Sequence, residues 1–172
     1  MTRINALTLE QAPAAARPAL QGIDKGMGFI PNAFATLAHS PAALGGYLAL
    51  AQALGKNSLT AQEREVVALA ASEVNGCEYC TAAHTFLGGK SGLSAADVLA
   101  ARAGTLSPVA AFTRSVTLSR GQVSDDVLAA AREGGLDDAR IVDVIAQVTL
   151  MTLTNYLNNV AQTEVDFPPR AA

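Results

Sequence analysis

The chain has 172 residues and a formal net charge of −3, and half of its residues are hydrophobic while only 5% are aromatic. This length suits one domain with a hydrophobic core, so we expect a single domain over residues 1–172. Abundant alanine with few aromatic residues favours an all-α fold whose helices pack closely. No two Lys or Arg residues are adjacent, which argues against a nucleic-acid partner.

The N-terminal segment contains Pro13 and Pro18, where a signal peptide needs a continuous apolar core. No uncharged apolar stretch of about 20 residues occurs, so we expect no membrane segment. A cytoplasmic location is the default expectation. In that compartment, a close cysteine pair is more often catalytic or metal-binding than structural.

Helix start and stop signals divide the first third of the chain. Thr8 and Glu10 indicate a short N-terminal helix ending near Gly22. A loop rich in glycine and proline is predicted over residues 26–31, before a helix that begins near Asn32. A Ser-Pro pair then predicts a helix over residues 40–55, with the serine as its N-cap.

Thr60 and Glu63 form a capping-box pattern that predicts a helix reaching Asn75-Gly76. Asn-Gly is a helix-stop and turn signal. We therefore expect Cys77 to start a new helix, which makes the two helices a helix-turn-helix hairpin.

Three further helices are predicted in the second half of the chain. Residues 94–104 and 124–134 each begin with a capping Ser and end in Gly, with acidic residues early and Arg late. Apolar residues recur at helical spacing from Asp137 to about Glu164. This last helix is long enough that we expect it to be central or to lie at an interface.

Both cysteines and one of the two histidines fall within eight residues, as Cys77, Cys80 and His84. Residues three, four and seven apart share one face of a helix. Cys77 lies closest to the helix start, where the helix dipole stabilises a thiolate. His84 lies one turn after Cys80 and can accept its proton. The residues alone do not decide which cysteine is the nucleophile.

Two acidic residues, Glu65 and Glu73, are candidates to orient the histidine. In an antiparallel hairpin about Asn75-Gly76, residue 65 lies level with residue 86 and so close to His84. Glu73 would instead lie beside the turn. The hairpin therefore favours Glu65 as the partner of His84.

Other interpretations of these residues remain open. Cys77, Cys80 and His84 could ligate zinc, although the only other histidine is His39 and no further cysteine exists, so we favour a redox site without metal. Glu65 could belong to a solvated helix face. The asparagines of the last helix could cap buried backbone, line a cavity or face a subunit: Asn155, Asn158, Asn159.

The spacing from Glu65 through Cys77-x-x-Cys80 to His84 resembles the AhpD-like alkylhydroperoxidases of the carboxymuconolactone decarboxylase superfamily. Residues 28–32 (Gly-Phe-Ile-Pro-Asn) and the segment that begins at Asn158 are similar to its peroxidase-related branch. The resemblance covers roughly residues 26–168. It implies an AhpD-like helical bundle, assembled into trimers or hexamers.

The resemblance implies a thiol-dependent peroxidase without a bound cofactor. Cys80 would attack the hydroperoxide with help from His84 and Glu65 and become a sulfenic acid, and Cys77 would then form a disulfide with it. An external thiol or lipoyl-type dithiol would reduce the disulfide. Tyr79 occupies the position of a histidine found in the best-known members, and Asn159 occupies that of another.

Two further functions remain open. One is a decarboxylase or lyase like the lactone-processing relatives, which generally lack the cysteine pair. The other is a non-catalytic oligomer that senses redox state.

Overall fold

The computed structural model describes residues 1–168, and within them the chain forms nine α-helices and no strand. The helices are α1 (Arg17–Met27), α2 (Asn32–Leu37), α3 (Pro41–Leu54), α4 (Ala61–Val74), α5 (Glu78–Lys90), α6 (Ala95–Ala103), α7 (Pro108–Ser119), α8 (Asp125–Glu133) and α9 (Asp138–Ala161). The predicted all-α fold is confirmed. No helix within these residues is both long and apolar enough to cross a membrane.

Polar side chains cap the starts of α3, α4, α6 and α8, as the sequence predicts. At α4 the Thr60 hydroxyl accepts a hydrogen bond from the Glu63 amide, and the Glu63 carboxylate accepts one from the Thr60 amide. Ser94 and Asp97 form the same reciprocal pair at α6. Such caps satisfy backbone N–H groups that have no partner inside the helix, which fixes the helix starts.

Two predicted elements are wrong in detail. The first helix covers Arg17–Met27 and not residues 8–22, because Pro18 lies in its first turn, where a proline costs no hydrogen bond. The predicted loop over 26–31 is correspondingly shorter. Helix α7, which the sequence interpretation missed, begins with a Ser-Pro pair like that of α3, and Ser107 accepts a hydrogen bond from the Ala110 amide.

The core is built around α4, whose residues from Val66 to Ser72 are all buried. Helix α4 packs against α5, α6, α7 and α9. Helix α9 contacts α2, α3, α4, α5 and α7, so the long final helix is central. One face of α9 nevertheless carries exposed apolar side chains, which we call the α9 apolar stripe: Val142, Ile145, Leu153, Tyr156 and Val160.

The turn between α4 and α5 positions the cysteine motif. Asn75 is the C-cap of α4, and Gly76 has a φ of 62°, a left-handed conformation that favours glycine. The Cys77 amide then donates to the Ser72 carbonyl oxygen at 3.0 Å. The chain therefore reverses within a few residues, and α5 runs back along α4 as predicted.

Candidate active site

Cys77 and Cys80 lie at the buried N-terminus of α5. Cys77 is the N-cap residue rather than part of the first turn, and its sulfur accepts a hydrogen bond from the Cys80 amide at 3.2 Å. Both are free thiols, and their Sγ atoms are 2.6 Å apart. A disulfide bond is about 2.05 Å long, so bond formation requires only a small movement.

The pKa values of the two thiols are shifted in opposite directions. A hydrogen bond from the Cys77 thiol lowers the pKa of Cys80 to about 6, against the effect of burial, with further help from the Asn158 and Asn155 amides and the charge of His84. The same hydrogen bond, together with burial, raises the pKa of Cys77. Of the two thiols, Cys80 is therefore the one that ionises more readily. Position along the helix places Cys77 closest to the dipole and does not decide between the two thiols, whereas the contact between the sulfurs does.

His84 and Glu65 form the contact that the hairpin predicts. His84 Nδ1 lies 2.8 Å from Glu65 Oε2, and the two side chains are 19% and 20% exposed. Burial lowers the pKa of His84, but the hydrogen bond and charge of Glu65 and the charge of Cys80 outweigh it, so the net shift is upward. Because Nδ1 is occupied by Glu65, Nε2 is the nitrogen left for proton transfer.

Glu73 lies elsewhere. Its Oε2 accepts a hydrogen bond from Arg102 Nε at 2.7 Å, across the α4–α6 contact. Both side chains are more than a third exposed. Of the two acidic candidates, only Glu65 therefore contacts His84.

Cys80 and His84 line a cavity of about 150 Å³ between α2, α3, α5 and α9. Most of its wall is apolar, with Phe34, Leu87 and Phe167 among the lining residues. A space of about this volume is large enough to admit a molecule the size of benzene. The thiolate therefore faces a small space suited to the apolar part of an organic molecule.

Tyr47 also lines this cavity, and no sequence signal pointed to it. Burial and the nearby charges of Cys80 and Glu65 raise its pKa to about 12. Its ring packs against Phe34 with 5.6 Å between the centroids. Tyr47 therefore contributes a neutral, partly apolar wall opposite the thiolate.

Tyr79, between the cysteines, is tied to the C-terminal segment. Its hydroxyl donates to Asp166 Oδ1 at 2.7 Å and accepts from the Ala33 amide at 3.2 Å. Burial raises the pKa of the phenol, as does the charge of Asp166. Asp166 Oδ2 also accepts from the Asn32 amide at 2.8 Å. Tyr79 thus joins α5 to the start of α2 and to the segment that contains Asp166.

Phe167 closes the same side of the cavity. Its ring lies 5.5 Å from that of Phe29 and 6.0 Å from those of Tyr79 and Phe86, measured between centroids. Aromatic pairs at these distances pack favourably. The C-terminal segment therefore forms part of the cavity wall.

The asparagines of α9, whose role the sequence left open, have separate partners. Asn155 Nδ2 donates to Ser72 Oγ at 3.1 Å, and its Oδ1 accepts from Asn75 Nδ2 at 2.8 Å. Asn159 Nδ2 donates to the Asn75 carbonyl oxygen at 2.8 Å. Asn158 Nδ2 donates to Cys80 Sγ at 3.3 Å. Asn155 and Asn159 hold the α4–α5 turn in place, whereas Asn158 contacts the Cys80 sulfur.

Among residues 1–168, no group of three or more His, Cys, Asp or Glu side chains is arranged to hold a metal ion. His39, the only histidine besides His84, lies at the N-terminal side of the bundle with Nε2 2.9 Å from the Asn5 carbonyl oxygen. It therefore does not join the cysteine pair. The donor set that a zinc site would need is not assembled in this part of the chain.

One protein-family model matches part of the chain. Residues 41–120 match the model of the carboxymuconolactone decarboxylase family. This segment includes the α4–α5 hairpin and all four residues of the candidate site. No curated protein matches the sequence.

Solved structures share the fold over nearly the whole chain. An uncharacterised peroxidase-related protein from Ralstonia eutropha JMP134, described as an alkylhydroperoxidase AhpD core, is 25% identical, with a TM-score of 0.83 over 96% of this chain and 93% of its own. A peroxidase-related protein from Silicibacter sp. TM1040 is 19% identical, with a TM-score of 0.77 over 94% and 91% of the two chains. The bundle is therefore AhpD-like, as the sequence resemblance predicts.

A further relative in fold is the debrominase Bmp8. It is 17% identical, with a TM-score of 0.79 over 99% of this chain and 95% of its own. A cysteine-to-alanine variant of Bmp8 has been solved in complex with 2,3,4-tribromopyrrole, with a TM-score of 0.80. At this identity the similarity extends to the fold alone.

Proposed function

We propose that the protein is a thiol-dependent peroxidase that reduces organic hydroperoxides through a Cys77/Cys80 dithiol. The observation that carries this proposal is the asymmetric thiol pair. Cys80 has a lowered pKa beside the cavity, and Cys77 remains protonated with its sulfur 2.6 Å away. A low-pKa thiolate that lines a pocket next to a resolving thiol is the arrangement that peroxide-reactive cysteines need.

The first step is attack by the Cys80 thiolate on the terminal oxygen of the hydroperoxide. The S–O bond forms, the O–O bond breaks, and the leaving alkoxide takes a proton from the His84 imidazolium. The products are a Cys80 sulfenic acid and an alcohol. Glu65 keeps His84 oriented through its 2.8 Å contact and favours the protonated ring.

The second step is attack by Cys77 on the sulfenic acid. The disulfide forms, and the sulfenic hydroxyl leaves as water after taking up the Cys77 proton, which His84 can relay. An external dithiol, of the lipoyl type or a small thiol protein, then reduces the disulfide by exchange and becomes oxidised itself. No bound cofactor or metal takes part in this cycle.

The test is turnover of an organic hydroperoxide with dithiol donors, read together with thiol titration. We expect one equivalent of hydroperoxide to remove two thiols and to join Cys77 to Cys80. Cys80→Ser is expected to abolish the reaction, whereas Cys77→Ser is expected to stop at the sulfenic acid. A thiol pair that stays reduced in excess hydroperoxide would refute the proposal. Activity retained in the double Cys→Ser variant on a lactone acid would favour a lyase instead.

The apolar cavity favours a second candidate function, reductive removal of a halogen from a small aromatic compound. Cys80 would take the halogen from carbon as a sulfenyl halide while His84 supplies the proton to carbon. Cys77 would then form the disulfide and release halide, so that the dithiol is oxidised and the ring is reduced. Halide release from a bromoaromatic compound, without hydroperoxide turnover, would establish this function in place of the first.

The remaining alternative is a non-catalytic redox sensor. A dithiol that is oxidised once and that no reductant restores would point to this role. The decisive measurement is the number of turnovers in excess dithiol. More than one turnover excludes a purely sensing role.

A further inference from the structure

The hydroxyl of Tyr47 is a hydrogen-bond donor that the protein leaves free at the cavity. Tyr47 lies on α3 and lines the cavity together with Cys80 and His84. Its hydroxyl forms no hydrogen bond with any residue within 1–168, and the side chain is only partly buried. Unlike Asn158 Oδ1, its oxygen is not closed off from a water-sized molecule. The hydroxyl is therefore open to a molecule in the cavity.

The two other hydroxyls of the cavity lining are already used. They donate to protein acceptors: Tyr79 to Asp166 Oδ1 at 2.7 Å, and Thr154 to the Met151 carbonyl oxygen at 3.1 Å. Among the lining residues of the described chain, Tyr47 is therefore the one whose hydroxyl hydrogen remains free for a substrate.

The surroundings of Tyr47 place its hydroxyl near the reacting groups. Burial is the largest cause that raises its pKa to about 12, so the hydroxyl lies among protein atoms and not in bulk water. The charges of Cys80 and Glu65 raise this pKa further, and a charge has such an effect mainly at short distance. The ring packs against Phe34 with 5.6 Å between the centroids, which holds the phenol in place.

We propose that Tyr47 is a further catalytic residue, whose hydroxyl donates a hydrogen bond to the oxygen that leaves when Cys80 attacks the hydroperoxide. This inference rests on the proposed peroxidase function. It assigns two roles to two residues. Tyr47 stabilises the negative charge that develops on the leaving oxygen, and His84 supplies the proton that neutralises it.

The chemistry of the step agrees with this assignment. The Cys80 sulfur attacks the oxygen that carries the hydrogen, and the electron pair of the broken O–O bond goes to the oxygen bonded to carbon. In an in-line displacement this second oxygen lies on the side away from the sulfur, towards the wall that α3 forms. A fixed donor lowers the barrier when it points to the place where charge develops. Tyr47 keeps its own proton, because its pKa is raised to about 12.

The assignment predicts that the effect of Tyr47 depends on the leaving group. Tyr47→Phe keeps the ring and removes the hydroxyl. At pH 7 we compare tert-butyl hydroperoxide, which releases a strongly basic alkoxide, with peroxyacetic acid, which releases the weakly basic acetate. We expect Tyr47→Phe to lower kcat/KM about 10- to 100-fold for the hydroperoxide, the value of a hydrogen bond to a charged group. The loss with peroxyacetic acid should stay within about threefold.

Two controls separate contact with the substrate from other effects. Site-resolved alkylation against pH should give the same pKa of Cys80 in Tyr47→Phe as in the wild type, whereas a rise of about one unit or more would place the hydroxyl on the thiolate instead. Tyr156→Phe makes the same change on α9, at a side chain that is 55% exposed and does not line the cavity. It should leave both substrates unaffected.

Binding measurements test the same contact without turnover. Benzyl alcohol places an oxygen in the cavity, and toluene has nearly the same shape without the oxygen. We expect Tyr47→Phe to weaken binding of benzyl alcohol about threefold to tenfold and to leave the affinity for toluene within about a factor of two, as measured by nuclear magnetic resonance titration.

Equal losses with tert-butyl hydroperoxide and peroxyacetic acid, or no loss with either, would overturn the catalytic role of Tyr47. Equal changes in the affinity for benzyl alcohol and toluene would overturn the contact itself. If the wild-type chain reduces no hydroperoxide, the proposed function fails and the catalytic role with it. The comparison of benzyl alcohol with toluene still decides the contact in that case, so the two failures can be told apart.

Discussion

Glu65→Gln tests whether the carboxylate beside His84 sets the acidity of that residue. The change keeps the shape of the side chain and removes its charge. The 2.8 Å contact joins two side chains that are only about one-fifth exposed, so solvent screens it weakly. A hydrogen bond to a charged group is worth about 1.5–3 kcal/mol, which corresponds to about one to two units in the pKa of His84.

The same free energy sets the expected loss of activity. If the carboxylate stabilises the imidazolium that protonates the leaving alkoxide, losing about 1.5–3 kcal/mol slows hydroperoxide reduction about 10- to 100-fold. The assay combines kcat/KM for an alkyl hydroperoxide with a nuclear magnetic resonance titration of His84. We expect the rate and the pKa of His84 to fall together.

Glu73→Gln is the matched control for this prediction. It makes the same chemical change on the same helix, at a carboxylate that pairs with Arg102 and does not contact His84. It should leave both readouts unchanged. If Glu65→Gln leaves the pKa of His84 where it was, or if Glu73→Gln lowers it equally, the assigned role of Glu65 is wrong.

Three further predictions concern other parts of the molecule. The rate of hydroperoxide reduction should rise with pH through about 6, as the Cys80 thiol ionises, and fall above the raised pKa of His84 as the imidazolium is lost. A rate that does not change between about pH 5 and pH 9 would contradict this prediction. Tyr79→Phe leaves the Ala33 amide without its partner, so the free energy of unfolding should drop by about 1–3 kcal/mol while Cys80 alkylation is unchanged. We also propose that the α9 apolar stripe is a contact between copies of the chain, as in a trimer or hexamer; light scattering should show a smaller assembly for Tyr156→Asp than for the wild type, and an unchanged mass would contradict it.

The hairpin and its site could be predicted from the sequence because local signals determine them. The capping box at Thr60 fixes the start of α4, and Asn75-Gly76 fixes its end. Once α5 runs antiparallel to α4, simple helix geometry brings Glu65 level with His84. The distance of 19 residues along the chain is therefore spanned by two regular helices and one tight turn.

The opposite wall of the site could not be predicted in this way. Asn158 and Asp166 lie 78 and 87 residues from their partners Cys80 and Tyr79, and tertiary packing alone brings them together. The one available signal for Asn158 was a polar residue within an apolar helix, which is equally typical of capping or subunit contact. The acidity of the two thiols likewise depends on the contact between their sulfurs, which helix position alone does not reveal.

Tyr79 shows how the cavity and the chain end depend on one another. A histidine at this position could carry protons on the second side of the cysteine pair, but the phenol is directed to Asp166 and its pKa is raised, so it holds its proton. In the proposed cycle, His84 is then the group that transfers protons. The Asn158 amide can stabilise the thiolate without exchanging a proton. In that cycle, one side of the cysteine pair transfers protons, and the other side provides a hydrogen bond and an apolar wall.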